Sequence, residues 1–424
     1  MSRAKSVEVV VLGTGFGGLT FCQAFRHPEA RITLVDRTNH HLFQPLLYQV
    51  ATAGLSAPEI AAPARSVFAH RPDVTVLMAD VEGIDLSRRE VRLRDGVLSY
   101  DYLVMALGGV TSYFGHPEWE QFAPGLKTLD DAMRIRRDVL MAFEEAETTT
   151  DESRRSELLT LAVIGGGPTG VEMAGALAEL ARRVLAKDFR RMNPASTRVV
   201  LIEGSPRVLS HLPADLGDSA ARQLRDLGVE VLTGRRVLEV RAGEVHLDDG
   251  TTIRAANILW AAGVAASPLT RQLGVPLDRA GRVVVEPDLS LPGHPRVFAI
   301  GDMALVLDAQ ARPVPGVCPA AMQMARHVAR LVRDELEARH GVPVRRTPFR
   351  YWDKGSMATI GRSAAVAKMG ALELSGLPAW FAWLFVHLLF LIGYRNKVAV
   401  LWQWAYSYLA YKRGARIILG REEG

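Results

Sequence analysis

The residues best placed to do chemistry come as two copies of one pattern. Gly13, Gly15 and Gly18 form a Gly-x-Gly-x-x-Gly turn, and the carboxylate of Asp36 follows about 20 residues further on. Gly165, Gly167 and Gly170 repeat the turn, and Glu203 is its acid at a longer spacing. These residue types suit a dinucleotide. The first glycine makes a tight turn, the second lets a pyrophosphate approach the backbone, and the third lets the next helix pack closely on the preceding strand. The helix N-terminus then offers free N–H groups and a partial positive charge to the diphosphate. A carboxylate at the next strand end accepts hydrogen bonds from ribose hydroxyls. The competing readings are a glycine-rich turn with no ligand and, for the second copy, a decayed duplicate.

Strands and helices must hold these residues in place, and the chain supplies them. Val7–Leu12 is rich in β-branched residues and reads as a buried strand. A helix is predicted from Leu19 to Phe25, and Ile32–Val35 is a second strand that ends at Asp36. In the second copy the strand is Leu161–Ile164, the helix Val171–Leu180, and the following strand Val199–Ile202, ending at Glu203. The basic stretch Arg182 to Thr197 is read as an extension of that helix and its loop. Further strands are predicted at Val74–Met78 and Tyr102–Ala106, a hairpin turn at Asp95-Gly96, and a helix over Thr128–Glu147. Val297–Ile300 is a late strand that ends in Gly301-Asp302. The first nucleotide domain is therefore predicted to be split, with the second inserted into it.

With 424 residues the chain needs two or three cores. The first strand begins within a few residues of Met1, which leaves no room for a signal peptide. The two cysteines, Cys22 and Cys318, form no redox motif, so a cytosolic chain without disulfides is expected. The formal charge is +5, but the basic residues are spread out, and no nucleic-acid partner is expected. Hydrophobic residues make up 48%, and the excess sits at the end. Leu377 to Tyr394 and Val398 to Tyr411 carry no formal charge; Arg395, Lys397, Lys412, Arg413 and Arg416 flank them. Trp380, Trp383, Trp402 and Trp404 are four of the seven tryptophans, a residue that favours membrane interfaces. A helix from Pro378 would be ~24 Å long, short of a ~30 Å hydrocarbon core. An antiparallel pair of amphipathic helices lying in one leaflet, its cations on anionic headgroups, is the expected anchor. A buried dimer interface is the other reading.

Single residues carry double readings. Glu172 at the start of the second helix is either ordinary dipole complementarity or a site carboxylate. Lys354 is a surface cation or the rim of a pocket. Cys318 reads as a packed residue. His387 reads as structural or interfacial, because no second ligand stands at metal spacing, and no metal is expected.

Several stretches resemble the type II NADH dehydrogenases, single-chain NADH:quinone oxidoreductases. They are Asn39 to Ala53 (NHHLFQPLLYQVATA), Thr111 to Trp119 (TSYFGHPEW), Gly165 to Leu177 (GGGPTGVEMAGAL), Gly301-Asp302, and Tyr351 to Arg362 (YWDKGSMATIGR) leading into the apolar tail. The resemblance covers nearly the whole chain. It implies a two-dinucleotide-binding flavoprotein of the α/β class, with FAD on the first Rossmann-like domain and NADH on the inserted one. Gly13, Gly15, Phe16, Gly17, Gly18, Asp36, Arg37, Val81, Ala106, Gly108, Gly301, Asp302 and Ala321 would serve FAD, with Pro45 and Gln49 against the isoalloxazine. Gly165, Gly167, Thr169, Gly170, Glu203 and Gly263 would hold NADH. Glu172 would face the nicotinamide and flavin, and Lys354 and Gln323 would stand at the quinone pocket. The family's Ala-Gln-x-Ala-x-Gln motif is Cys318-Pro319-Ala320-Ala321-Met322-Gln323 here, so the amide at position 319 is lost. The Ala-Thr-Gly common at this strand end reads Ala106-Leu107-Gly108.

The implied layout places FAD-binding parts at 1–125 and 271–340, a connecting helix at 126–157, the NADH domain at 158–270, quinone-site strands at 341–377 and anchoring helices at 378–424. The implied partners are a membrane quinone and the cytoplasmic face of the cell membrane, where the protein would be peripheral, with a homodimer open. A sulfide:quinone oxidoreductase is the runner-up, but it needs at least two cysteines at the flavin. A slow NADH-sensing flavoprotein is the third reading.

Overall fold

The computed structural model describes residues 6–338, 344–410 and 415–418. The chain divides into two compact units, and the sequence of each is interrupted by the other. The first comprises 1–42, 61–110 and 264–353; the second comprises 43–60, 111–263 and 354–424.

The first unit is built on a six-stranded sheet. Val7–Leu12 lies at its centre, parallel to Ala30–Asp36 on one side and Tyr102–Met105 on the other. Val74–Met78 and His294–Ala299 extend it outward, again in parallel, and Ser290–Leu291 adds an antiparallel edge. Val9, Val11, Leu12, Leu34, Leu103 and Val104 are buried, as expected of parallel strands covered on both faces. The strand order reverses at Val7–Leu12: the chain leaves it toward one edge and returns on the other. Ligands bind at such switch points, outside the carboxyl ends of the strands. The helix Phe16–Ala24 follows directly and packs on the helix Cys318–Ala338. A separate antiparallel sheet joins Val81–Asp85, Glu90–Leu93 and Gly96–Ser99. Leu93 pairs with Gly96, so the hairpin turn is Arg94-Asp95, one residue earlier than predicted, and Gly96 opens the second strand.

The second unit repeats the plan with four parallel strands, in the order Val229–Thr233, Arg198–Glu203, Thr160–Ile164 and Asn257–Trp260. Its glycine turn leads into the helix Pro168–Glu179, which ends in a single π-helical turn over Leu180–Val184 before an irregular loop. The long helix Leu129–Thr148 begins where the sequence suggested because Thr128 caps it. The Thr128 hydroxyl accepts the Asp131 N–H at 3.1 Å, and the Asp131 carboxylate accepts the Thr128 N–H at 2.8 Å.

Three antiparallel strands, Ser356–Gly361, Ala364–Met369 and Leu372–Ser375, lead into helices Leu377–Phe390 and Tyr394–Ala410. Two expectations change here. Arg395-Asn396-Lys397 does not link the helices but forms the first turn of the second. The link is only residues 391–393, and Lys397 Nζ reaches back to donate to the Leu389 carbonyl at 2.8 Å, capping the first helix from within the second. Nor are the helices amphipathic. Ala379, Trp380, Trp383, Val400 and Trp404 are buried, while Phe381, Phe385, Leu389, Val398, Leu401 and Trp402 are exposed, so apolar residues occupy both faces. Among the described residues no helix is long and apolar enough to cross a membrane. Lys412 and Arg413 lie outside the described residues; Arg416 pairs with Asp188.

Candidate functional site

Both glycine turns have the geometry their spacing demands. Gly13 (φ +99°) and Gly165 (φ +112°) occupy backbone that favours glycine. A β-carbon on Gly18 would stand 1.9 Å from the Gly13 carbonyl oxygen, and one on Gly170 would stand 1.7 Å from that of Gly165. Each helix therefore starts in contact with its own turn. The N-cap residues, Gly15 and Gly167, supply no side-chain cap, so the first-turn N–H groups remain for a ligand. The space beside Gly167 is open, and Gly15 has only Ala106 O, at 4.0 Å. The chain's own residues thus fit a diphosphate at both turns.

The two acids differ. Asp36 Oδ2 accepts the Thr14 N–H (2.6 Å) and hydroxyl (2.9 Å), and Oδ1 accepts the Thr38 N–H (2.7 Å) and hydroxyl (2.8 Å). A carboxylate has about four lone-pair sites; two are met by the N–H groups, and the two threonine hydroxyls serve either the other two or the His40 carbonyl. A ribose hydroxyl reaches Asp36 when a threonine hydroxyl turns to the His40 carbonyl, which stands 3.0 Å from the Thr14 hydroxyl and 3.3 Å from that of Thr38. Glu203 accepts two backbone N–H groups, Gly166 at 2.5 Å and Ser205 at 2.6 Å, and keeps two sites for a ribose. Gly166 is what lets it approach, since a β-carbon there would lie 2.9 Å from the Glu203 side chain. Thr169 is exposed in the first turn of the second helix, and Gly263 turns at φ +74° after the Asn257–Trp260 strand.

In the first unit Phe16 packs edge-on to His41, at 5.0 Å between ring centroids, and Gly17 lies on Ile300 and Ala106. Burial pushes the His41 imidazole below its usual range, and its Nδ1 bonds the Thr14 carbonyl at 2.7 Å. Gly108 (φ +68°) and Gly301 (φ +70°) turn at the strand ends, and a β-carbon on Gly301 would touch Ala321. Two methionine sulfurs accept backbone N–H groups here: Met303 from Leu107 (3.1 Å) and Met324 from Gly301 (3.3 Å). Asp302 lies in the short 3₁₀ turn Gly301–Met303. Arg37 is exposed and Val81 opens its strand. Gln323 is bound at both ends of its amide to the Trp352 backbone, donating to its carbonyl and accepting its N–H, each at 3.0 Å.

In the second unit Glu172 is 9% exposed. Burial pushes its carboxyl up to about 8, against the Thr359 N–H, which donates to Oε1 at 3.4 Å. The Trp383 indole also lowers it, though its N–H completes no hydrogen bond. Lys354 is exposed, with its Nζ 5.8 Å from the centre of the Phe390 ring. Pro45 lies in the turn Gln44–Leu46 and Gln49 in the helix Leu47–Ala51. Gln49 Oε1 accepts the Trp404 indole N–H at 2.8 Å, and Nε2 donates to the Tyr48 hydroxyl at 2.9 Å. His387 stacks on Trp383 at 4.1 Å, and burial pushes it down to about 4, so it is a neutral packing residue.

The expected site residues thus fall into two groups, one in each unit. Sequence reasoning missed Thr14 and Thr38, which hold Asp36, and Gly166, which admits Glu203; all three stand in or beside the motifs and were legible from that position. It also missed Met303, Met324 and Thr359, whose partners are remote in sequence, and it read Trp380, Trp383 and Trp404 as membrane-interface residues, whereas all three are buried in the fold and of the four only Trp402 is exposed.

Residues 7–325 match the model of the pyridine nucleotide-disulphide oxidoreductases, and residues 353–412 match that of the NDH2 C-terminal domain. Over 98% of its length the chain is 45% identical to the type II NADH:quinone oxidoreductase Ndh of Mycobacterium tuberculosis, covering 91% of that protein. The chain belongs to the type II NADH:quinone oxidoreductases. A second relative in this family, NdhA of the same organism, is 44% identical over 97% of this chain and 89% of its own length. The NDH2 of Plasmodium falciparum solved in complex with NADH superimposes with a TM-score of 0.87, covering 98% of this chain and all (100%) of that one, at 20% identity, and shows the shared fold. The sulfide:quinone oxidoreductase of Aquifex aeolicus shares it less closely, with a TM-score of 0.70 at 17% identity, covering 96% of each chain.

Proposed function

We propose that this chain is an FAD-dependent NADH:quinone oxidoreductase, taking two electrons from NADH and delivering them to a membrane quinone without pumping protons. One observation carries the proposal: two complete dinucleotide cradles in a single chain of this family. When bound at the Gly13 turn, FAD supplies a ring that accepts two electrons as hydride and releases them again. The Gly165 turn takes the NADH diphosphate, and Glu203 accepts its adenosine ribose hydroxyls through the two sites it has left. Hydride transfer needs no acid–base pair, so the chain's contribution is mainly positioning. The family resemblance would turn Glu172 toward the nicotinamide, and burial makes it a neutral acid, because it keeps its proton on at neutral pH. Lys354 stands at the quinone pocket, and Gln323 holds the preceding loop through Trp352.

The two terminal helices attach the protein to the cytoplasmic face of the cell membrane. Their support is exposed apolar residues at four-residue spacing: Phe381, Phe385 and Leu389 on one helix, and Val398 and Trp402 on the other. Sulfide chemistry is disfavoured. Cys22 is buried and its thiol is pushed far up by that burial, which leaves only Cys318 with any exposure. The test is the visible spectrum of the flavin-loaded protein without oxygen. NADH should bleach the flavin band and quinone should restore it; a band that NADH leaves unchanged would sink the proposal.

A further inference from the structure

The second unit contains an amide whose polarity is set by its neighbour. An indole Nε1–H can only donate, so the Gln49 atom facing Trp404 at 2.8 Å must be the oxygen. The Gln49 nitrogen is thereby turned the other way. One of its two N–H groups goes to the Tyr48 hydroxyl at 2.9 Å. The other meets no acceptor among the described residues. Gln49 itself is half-buried, on a short helix whose Leu47, Tyr48 and Val50 are all buried. The adjoining structure is aromatic: Trp404 packs on Trp383 at 5.7 Å, Trp383 on His387 at 4.1 Å, and His387 edge-on to Phe43 at 6.3 Å. His387 is neutral and Trp404 is 5% exposed, so neither of these two brings a charge or water to a carbonyl here. An aromatic setting with one directed N–H suits a flat, uncharged ring that carries a carbonyl oxygen.

We propose that Trp404 is a positioning residue for quinone reduction: its indole N–H orients the Gln49 amide so that the remaining Gln49 N–H donates to a quinone carbonyl oxygen. The donor strengthens as negative charge develops on that oxygen, which places its effect on the transfer of electrons out of the flavin. Without the indole N–H the Gln49 amide is free to flip, because its oxygen and nitrogen are alike in shape. A flipped amide presents its own oxygen to the quinone oxygen and repels it. The terminal helices then do more than attach the protein to a surface, since one of them sets a hydrogen-bond donor in the folded unit. This proposal rests on the quinone reading above.

The experiment uses the full-length, flavin-loaded protein and a water-soluble short-chain quinone, so that membrane attachment plays no part. The two half-reactions are followed separately by rapid mixing: flavin reduction by NADH and flavin reoxidation by quinone. Trp404→Phe keeps the ring and removes only the N–H. It should slow reoxidation about tenfold while changing reduction less than about twofold. Gln49→Leu should slow reoxidation to a similar degree, and the double variant should be no slower than Gln49→Leu alone, because the indole acts through the amide. Should Trp404→Phe fail to fold, the pair Gln49→Leu and Gln49→Glu decides. An ionised carboxylate accepts the indole N–H but has no hydrogen to give, so Gln49→Glu, assayed at alkaline pH, must lose reoxidation as Gln49→Leu does. Unchanged reoxidation in Trp404→Phe overturns the proposal. So do equal slowing of both half-reactions, additive losses in the double variant, and a Gln49→Glu variant with full reoxidation. A wild-type flavin that NADH reduces but quinone does not reoxidise would instead overturn the quinone reading, and this proposal with it.

Discussion

Gly175 lies so close to Ile360 that a β-carbon on it would stand 1.6 Å from the Ile360 carbonyl oxygen. The helix Pro168–Glu179 therefore meets the strand Ser356–Gly361 backbone to backbone. That contact puts Thr359 N–H over the Glu172 carboxyl and seals the acid from water. Gly175→Ala must push helix and strand apart. It should cost about 1–3 kcal/mol of stability, read from chemical denaturation. A fully stable variant would show that the contact yields without loss.

The Glu172 carboxyl gives a pH dependence with a definite sign. Its folded-state pKa, about 8, is above the ordinary carboxyl value of 4.5. The folded protein then holds a proton that the unfolded chain has released, so this contribution to stability is complete below pH 4.5, declines as pH rises through the window up to about 8, and is lost above it. Glu172→Gln stays neutral throughout and should flatten that decline. Melting temperatures across the window test this, and parallel curves for the two proteins would refute it. Glu172→Ala should slow turnover while leaving flavin bound.

On the proposed reading Glu203 sets the nicotinamide preference. Its carboxylate, fixed by the Gly166 and Ser205 N–H groups, accepts from a 2′-hydroxyl and repels a 2′-phosphate. NADH should be preferred to NADPH by well over about tenfold in kcat/KM, and Glu203→Gln should erode the preference. Gly166→Ala should raise the KM for NADH with flavin content intact, because its methyl group meets the Glu203 side chain at 2.9 Å. Equal kcat/KM for the two nucleotides in the wild type would end this account.

Gly13 tolerates no side chain, because its φ is +99° and a β-carbon would stand 2.4 Å from the Ala106 carbonyl oxygen. Gly13→Ala should be purified with little flavin, measured as the ratio of flavin to protein absorbance. Gly96, at the hairpin, also has a positive φ (+156°) but nothing within 4 Å of its would-be β-carbon, so it is the control for backbone strain without a clash. Normal flavin in Gly13→Ala would count against a cofactor at this turn.

Phe385 (68% exposed) and Leu389 (56% exposed) contribute little to folding, so replacing both with Asp should leave the melting temperature nearly unchanged. If the open face enters a lipid interface, each loses about 2 kcal/mol of burial, and binding to vesicles should fall by more than about 100-fold. Salt should release little of the wild type, since apolar burial is not screened. Undiminished vesicle binding by the double variant would disprove the lipid contact and favour a second copy of the chain on this face.

The sequence by itself determined the two nucleotide cradles, because everything that makes them is local: a strand period, glycines at fixed offsets, a helix start and an acid at the next strand end. It also determined the apolar tail, through composition alone. The hairpin turn and the start of the last helix slipped by a residue or a few, because Gly96 fits a strand opening as well as a turn, and a basic triplet fits a helix start as well as a link. Only the tertiary structure decided which polar groups serve one another. Asp36 has the same spacing as an acid free to bind ribose, yet the N–H groups of Thr14 and Thr38 hold both of its oxygens and their hydroxyls are shared between it and the His40 carbonyl. Gln323 and Gln49 are both amides in recognisable motifs, but one is held by the Trp352 backbone and the other is turned by Trp404, 355 residues away. Glu172 reads as a helix-dipole acid until the strand carrying Thr359 closes over it and burial changes its charge. Hydrogen-bond partners and desolvation depend on what folding brings within a few ångströms, and no local pattern encodes that.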